Sequence, residues 1–267
     1  MPKANGGPGQ RPASEGNRGE GWSDGDHADA QTDGGRMDAP PLVVDVDGTL
    51  TRPDAGARAR SVDPRAMDAL YEWPGTVVVA TGKAFPYPVG LCGFVGIPET
   101  VVAENGGVVL AEETVRYAGD PEAARAVAAD YEDAGYDLGW GPADTVNRWR
   151  ETEVAVSHDA PEEPLREIAA EHGMTVVDTG YAYHVVSPDV DKAAGLREVA
   201  DLLGLDPRSF VAVGDSENDA PTFGVAGRSF AVANADETAR NAADEVTEGV
   251  HADGLLEALE LVRQEDI

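Results

Sequence analysis

Three short apolar runs in this sequence each end in polar residues able to do chemistry. The first, Val43-Val44-Asp45-Val46-Asp47-Gly48-Thr49, closes on two aspartates. The second, Val77-Val78-Val79-Ala80-Thr81-Gly82-Lys83, closes on a hydroxyl and an ammonium. The third, Val211-Ala212-Val213-Gly214-Asp215-Ser216-Glu217-Asn218-Asp219, closes on acids and an amide. Runs rich in β-branched residues that stop at Gly or Asp read as strands ending in turns. In an open parallel sheet, sites form outside the carboxyl ends of the strands. All three polar clusters would then gather at one edge, with Lys192 arriving on the helix before the last of these strands. Asp45, Asp47, Asp215 and Asp219 would crowd four carboxylates together. Like charges at close range raise one another's pKa or push the groups apart. A divalent cation resolves that conflict, and oxygen ligands with retained waters suit Mg²⁺. Thr81 and Lys192 supply the hydroxyl and ammonium donors that a phosphate group needs. The set suits hydrolysis of a phosphate monoester, which is very slow uncatalysed and which a carboxylate divides into two steps through an aspartyl-phosphate.

Each cluster alone has a plainer reading. Asp-Gly after a strand is commonly a turn, Thr ends many strands, and a helix lysine is usually a solvated charge. Three acids and an amide at Asp215–Asp219 are poor structural choices. The joint occurrence, in this order, is what favours chemistry.

The elements that must position these residues alternate strand and helix. Strands are expected at Leu42–Val46, Thr76–Ala80, Thr100–Ala103, Phe210–Val213 and Phe230–Ala233. Helices are expected at Ser61–Trp73, started by Asp63-Pro64, at Asp191–Leu203, and at Glu237–Glu245 and Gly254–Arg263. That alternation predicts an α/β fold, a Rossmann-like parallel sheet covered on both faces. Residues 112–187 have another character. Helical segments at 121–134 and 162–172 alternate with strand candidates Val154–Ser157, Met174–Val177 and Ala182–Val186. They predict a small α/β unit inserted into the core, which then comprises 39–111 and 188–267. Residues 1–38 contain no Val, Ile, Leu, Phe or Tyr. Such a segment cannot bury enough apolar surface to offset its ordering entropy, so a disordered tail is expected there, with Met37 as an alternative start.

Charge excludes several partners. The 267 residues include 50 acids and 20 basic residues, a formal net charge of −30. Such a surface repels nucleic acid and anionic membranes. The acids are spread along the whole chain, helix faces included, rather than gathered in a tail. Molar salt, with a Debye length of ~3 Å, would screen the self-repulsion. The composition resembles that of a cytoplasmic protein from a salt-accumulating, halophilic archaeon. The sequence has three lysines, Lys3, Lys83 and Lys192, and every other basic residue is Arg. A chain that almost excludes Lys has specific uses for those in its folded part. The single cysteine, Cys92, can form no intrachain disulfide and has no partner motif, so it reads as packing. No apolar run approaches the ~20 residues of a membrane helix, and no secretory signal is present.

Asp45-Val46-Asp47-Gly48-Thr49-Leu50-Thr51, Thr81, Lys192 and Gly214-Asp215-Ser216-Glu217-Asn218-Asp219 resemble, in order, the four motifs of the haloacid dehalogenase superfamily. The resemblance covers about residues 40–267. The form of the fourth motif and the insertion between the second and third resemble the subgroup carrying an α/β cap, here 112–187. Within it, Ala103-Glu104-Asn105-Gly106-Gly107 and Asn147-Arg148-Trp149-Arg150-Glu151 are similar to stretches of archaeal phosphoglycolate phosphatases. The resemblance implies that Asp45 is the nucleophile and Asp47 the general acid and base. It implies Mg²⁺ on Asp45, the Asp47 carbonyl and Asp215, with Asp219 completing or orienting the metal site. Thr81, Gly82, Lys192 and Asn218 would bind phosphate or substrate. Arg148 or Arg150 would bind a substrate carboxylate, because the Arg fork matches two oxygens. Lys83 departs from the Asn or Arg expected after Thr-Gly; a phosphate contact and a pair with a nearby acid are both open. The substrate would be a small phosphate ester, 2-phosphoglycolate first and a sugar phosphate such as sucrose 6-phosphate second. A homodimer is left open. A signalling receiver domain also uses a strand-end Asp, Mg²⁺ and Lys, but lacks the second aspartate and the cap. A phosphorylated ion pump needs membrane helices.

Overall fold

The computed structural model describes residues 39–52 and 61–265, so the expectation for the tail at 1–38 falls outside the described residues. The first strand, β1 (Leu42–Asp45), is buried along its whole length and lies in the middle of an eight-stranded sheet. Helix α1 (Pro64–Tyr71) follows; Asp63 caps it by accepting from the Arg65 N–H, with Pro64 in the first turn. Strand β2 (Val77–Ala80), helix α2 (Pro86–Val95), β3 (Val101–Ala103), β4 (Val108–Ala111) and β5 (Thr114–Tyr117) come next. The chain then enters α3 (Pro121–Asp133), β6 (Val154–Val156), α4 (Glu162–Glu171), β7 (Thr175–Asp178) and β8 (Tyr183–Val186). It returns through α5 (Lys192–Leu203), β9 (Val211–Gly214), α6 (Ala220–Val225), β10 (Arg228–Ala231), α7 (Glu237–Ala242), β11 (Glu245–Val246) and α8 (Ala252–Glu265).

The large sheet runs β11–β10–β9–β1–β2–β3–β4–β5. From β11 to β3 every pairing is parallel; β3–β4 and β4–β5 are antiparallel. Side chains alternate across a strand, so a strand buried on both faces needs apolar residues at every position. Leu42 and Val44 pack on one face with Leu70, Leu255 and Leu259, and Val43 packs on the other with Leu196, Val199 and Phe223. That two-sided core is the α/β arrangement expected from the strand–helix alternation.

A smaller antiparallel sheet, β6–β8–β7, carries α3 and α4 on one face. Val127, Tyr131, Leu165, Ala169, Val154, Val156 and Val185 form its core. Ala155 and His184 pair across β6 and β8 and are both buried, although neither belongs to that core. Thr114–Tyr117, the first strand after residue 112, extends the large sheet; the elements leading to the small sheet begin at Pro121. No helix among the described residues is long and apolar enough to cross a membrane.

Candidate active site

The candidate site forms where β1, β2 and β9 end side by side. Leu42 stands level with Val77 on one side and Val211 on the other, so the ends of all three strands reach the same edge. Asp45 is the last residue of β1, and Asp215 follows β9 directly. Gly48, with φ +91°, has no side chain where the Asp215 carboxylate lies; any Cβ there would collide with it. Lys192 opens α5, whose N-terminus is fixed by Asp191 accepting from the Ala194 N–H. Gly106 lets the β3 exit loop pack directly on the Asp191 carbonyl, at φ +107°.

Lys192 is 1 % exposed and bridges two aspartates, with Nζ 2.7 Å from Asp45 Oδ1 and 2.6 Å from Asp219 Oδ1. Burial alone would lower its pKa, but Asp219 and Asp45 overcome this and raise it. The other oxygen of Asp219 accepts from the N–H groups of Asp215 (3.0 Å) and Ser216 (3.1 Å). Both Asp219 oxygens are therefore engaged in holding Lys192 and the loop after β9. Burial pushes the Asp45 carboxyl up to about 7; Lys192 opposes this, while Asp219 and Asp47 add to it. Burial also pushes Asp215 up to about 8, reinforced by Asp45 and Asp219.

Carboxylate oxygens of Asp45, Asp215 and Asp219 lie within 4.8 Å of one another. Asp45 Oδ2 and Asp215 Oδ1 are buried and accept no hydrogen bond. Buried acceptors without partners are costly, and two with like charge are more so. A hard cation fits this donor set, with Asp45 and Asp215 as the carboxylates that have an oxygen to offer. The Asp47 carboxylate lies outside this cluster and pairs with Lys83. Lys83 thus makes the pair with an acid, one of the two roles open to it.

Thr81 is buried, and its Oγ1 accepts from the Lys83 N–H at 3.2 Å. The Gly82 carbonyl accepts from Arg150 Nη1 at 3.0 Å. Arg150 also donates to the Val146 carbonyl at 3.1 Å and pairs with Glu153. Arg148 is exposed; its guanidinium makes no hydrogen bond or ion pair among the described residues and lies 6.0 Å from the Trp149 ring centre. Trp149 meets Tyr87 of α2 edge-on. Asn218 donates to Asn105 Oδ1 at 3.1 Å and accepts from the Ser216 hydroxyl at 2.8 Å.

Sequence reasoning gave no role to the groups that seat the small sheet on this edge. Glu104 is buried, and its carboxylate accepts from the N–H groups of Glu151 and Thr152 and from the Thr152 hydroxyl. Asn105 donates to Glu153 Oε2 at 3.2 Å, and His184 Nδ1 lies 3.2 Å from the same oxygen. Two signals point to them: Glu104 and Asn105 lie in the stretch that carries the family resemblance, and they leave β3 at the same edge as Asp45 and Thr81.

Residues 153–259 match the family model described as haloacid dehalogenase-like hydrolase. A Natronomonas pharaonis protein named phosphoglycolate phosphatase is 62 % identical over 225 residues, covering 84 % of this chain and 97 % of its own. A Haloarcula marismortui protein of the same name is 56 % identical, covering 83 % and 96 %. A Thermoplasma acidophilum crystal structure superposes with a TM-score of 0.71 at 24 % identity, over 85 % of this chain and 99 % of that one.

Proposed function

The chain belongs to the haloacid dehalogenase-like hydrolases, and from that premise we propose that it is a Mg²⁺-dependent phosphatase that converts 2-phosphoglycolate to glycolate and phosphate. The observation that carries this reading is Asp45 held by Lys192 through one oxygen and left with the other buried and unbonded. Asp45 and Asp215, with the Asp47 backbone carbonyl, would hold Mg²⁺; when bound, it neutralises the crowded carboxylates and the charge on the phosphoryl oxygens.

The chain's own groups do the rest. Thr81, the Gly82 backbone and the Lys192 ammonium hold the phosphoryl oxygens. An Asp45 oxygen forms the new bond to phosphorus as the bond to the ester oxygen breaks. Asp47 supplies the proton to that departing oxygen, and Lys83 keeps the Asp47 carboxyl at the edge. Asp47 then takes a proton from the water that hydrolyses the aspartyl-phosphate and regenerates Asp45. Asp219 orients Lys192 and the loop after β9. The unit at 112–187 acts as a cap that selects the substrate, and Asn218 contacts the substrate beneath it. Arg150 is committed to Gly82, Val146 and Glu153. Arg148 is then the cation left to read the substrate carboxylate. The protein works in a cytoplasm at high salt.

The test is steady-state phosphate release at high salt with Mg²⁺, and after its removal by chelation. Turnover should exceed many product equivalents per protein and should stop without the metal; a single burst would instead mark a receiver domain. The ratio of kcat/KM for 2-phosphoglycolate to that for p-nitrophenyl phosphate should fall about tenfold in Arg148→Ala, the scale of one charge-assisted contact. An unchanged ratio removes Arg148 as the reader. Faster turnover of sucrose 6-phosphate than of 2-phosphoglycolate gives the sugar-phosphate reading precedence.

A further inference from the structure

The seam between the small sheet and the reaction edge buries charges that the chemistry above does not use. The side chains of Arg150, Glu153 and His184 are 7 %, 1 % and 6 % exposed. Burying a guanidinium is costly unless its donors are matched, and here they are matched to the Gly82 and Val146 carbonyls and to Glu153. Gly82 is the informative partner. Its carbonyl and the Lys83 N–H belong to one peptide group, which is planar and, in the trans form, points the two in opposite directions. With the carbonyl turned to Arg150, the N–H turns the other way and donates to Thr81 Oγ1 at 3.2 Å. A hydroxyl that accepts at its oxygen still has its own proton to give. Among the described residues this hydroxyl makes no other hydrogen bond.

We infer that Arg150 is a positioning residue for phosphoryl binding, fixing the Gly82–Lys83 peptide so that the Thr81 hydroxyl is aimed to donate to a phosphoryl oxygen. This role presupposes the phosphatase reading. Glu153 holds Arg150 and also reaches the loop after β9, through Asn105 to Asn218. Glu104 anchors the same segment through the Glu151 and Thr152 N–H groups. Seating the small sheet therefore sets the loops after β2 and β9 together.

The experiment is a double-mutant cycle between Arg150→Ala and Thr81→Val. The readouts are kcat/KM for 2-phosphoglycolate and for p-nitrophenyl phosphate, and the Kd of inorganic phosphate by calorimetry. Arg150→Ala should lower kcat/KM by about tenfold, and by the same factor for both esters, because it acts on the group they share. An indirect effect falls below the ~10²–10³ of a lost direct donor. In the Thr81→Val background the loss should shrink to less than about twofold, and the phosphate Kd should follow the same pattern. Arg150→Lys and Glu153→Gln should show the same non-additivity, which keeps the cycle usable if Arg150→Ala fails to fold. A loss confined to 2-phosphoglycolate would overturn the inference in favour of direct carboxylate reading. Equal losses with and without the Thr81 hydroxyl would overturn it in favour of general support of the fold. If wild type hydrolyses neither ester, the phosphatase reading fails, and the phosphate-binding cycle still decides the role of Arg150.

Discussion

Lys83 and Lys192, the lysines of the described region, each face an aspartate of the reaction edge: Lys192 meets Asp45 and Lys83 meets Asp47. Their rarity in an Arg-based sequence is legible from the residues alone, as are the aspartates that close apolar runs. The roles proposed for the two first-motif aspartates separate under substitution. Asp45→Asn should leave no more than a few per cent of turnover with the far-UV circular dichroism unchanged, since an amide cannot carry the phosphoryl group onward. Asp47→Asn should lower kcat by ~10²–10⁴, the range of a lost general acid–base group. It should leave Mg²⁺ affinity close to wild type, because its backbone carbonyl survives the change. Calorimetric Mg²⁺ titration beside turnover checks this; weak metal binding with normal saturating kcat would reverse the two roles. Glu104 and Glu153 were not legible. Among 50 acids they look like two more solvated charges. What distinguishes Glu104 is a set of N–H partners at 151 and 152, remote in sequence and visible only after folding.

The elements with clear periodicity formed where expected, with ends shifted by a few residues. The sequence pattern puts a strand at Phe230–Ala233, whereas β10 is Arg228–Ala231, because the register with β9 starts at Arg228 opposite Val211. Helix α2 has no clear signature in the sequence. Two prolines and two glycines in ten residues argue against a helix on propensity. It forms because a proline suits the first turn, Gly96 ends it in a left-handed conformation, and Pro88, Cys92 and Val95 are buried. Residues 112–187 read as one inserted unit, yet β5 within them pairs with β4 of the large sheet; its exposed, mixed sequence does not reveal which sheet it joins. In the small sheet, β8 holds His184 against Glu153 and Arg150. Burial lowers the imidazole pKa from 6.5 to about 3, and Arg150 adds to the effect. The folded state thus prefers the neutral ring, while the unfolded chain takes up a proton near 6.5. Stability from this group is fully present above about 6.5 and is lost as pH falls toward about 3, by at most ~1.4 kcal/mol per pH unit. Denaturant melts of His184→Gln should show a shallower acid limb than wild type between those values. Parallel acid limbs would mean that His184 is charged in the folded protein.

Over the whole molecule, a net charge of −30 is the dominant electrostatic fact. Most ion pairs in the described region have exposed partners, as in Arg116–Asp201 and Arg166–Glu162. Such pairs contribute about 0–1 kcal/mol each, so their weakening by salt is small beside the relief of repulsion among unpaired acids. The melting temperature should therefore climb steadily as KCl rises from 0.1 M, where the Debye length is ~10 Å, past 1 M, where it is ~3 Å. A melting temperature flat or falling over that range would contradict this account of the composition. The large sheet carries a different consequence, for synthesis. Its central strand β1 is made well before its neighbour β9, which comes last among the strands that supply the edge of the candidate site. Until then the nascent chain has one flank of β1 unpaired, and it lacks Lys192, Asp215 and Asp219. Closing a loop that long costs entropy before any contact rewards it, and such distant pairings fold slowly. Until β9 is made, an apolar strand edge therefore stays open to wrong partners for as long as the ribosome takes to reach it.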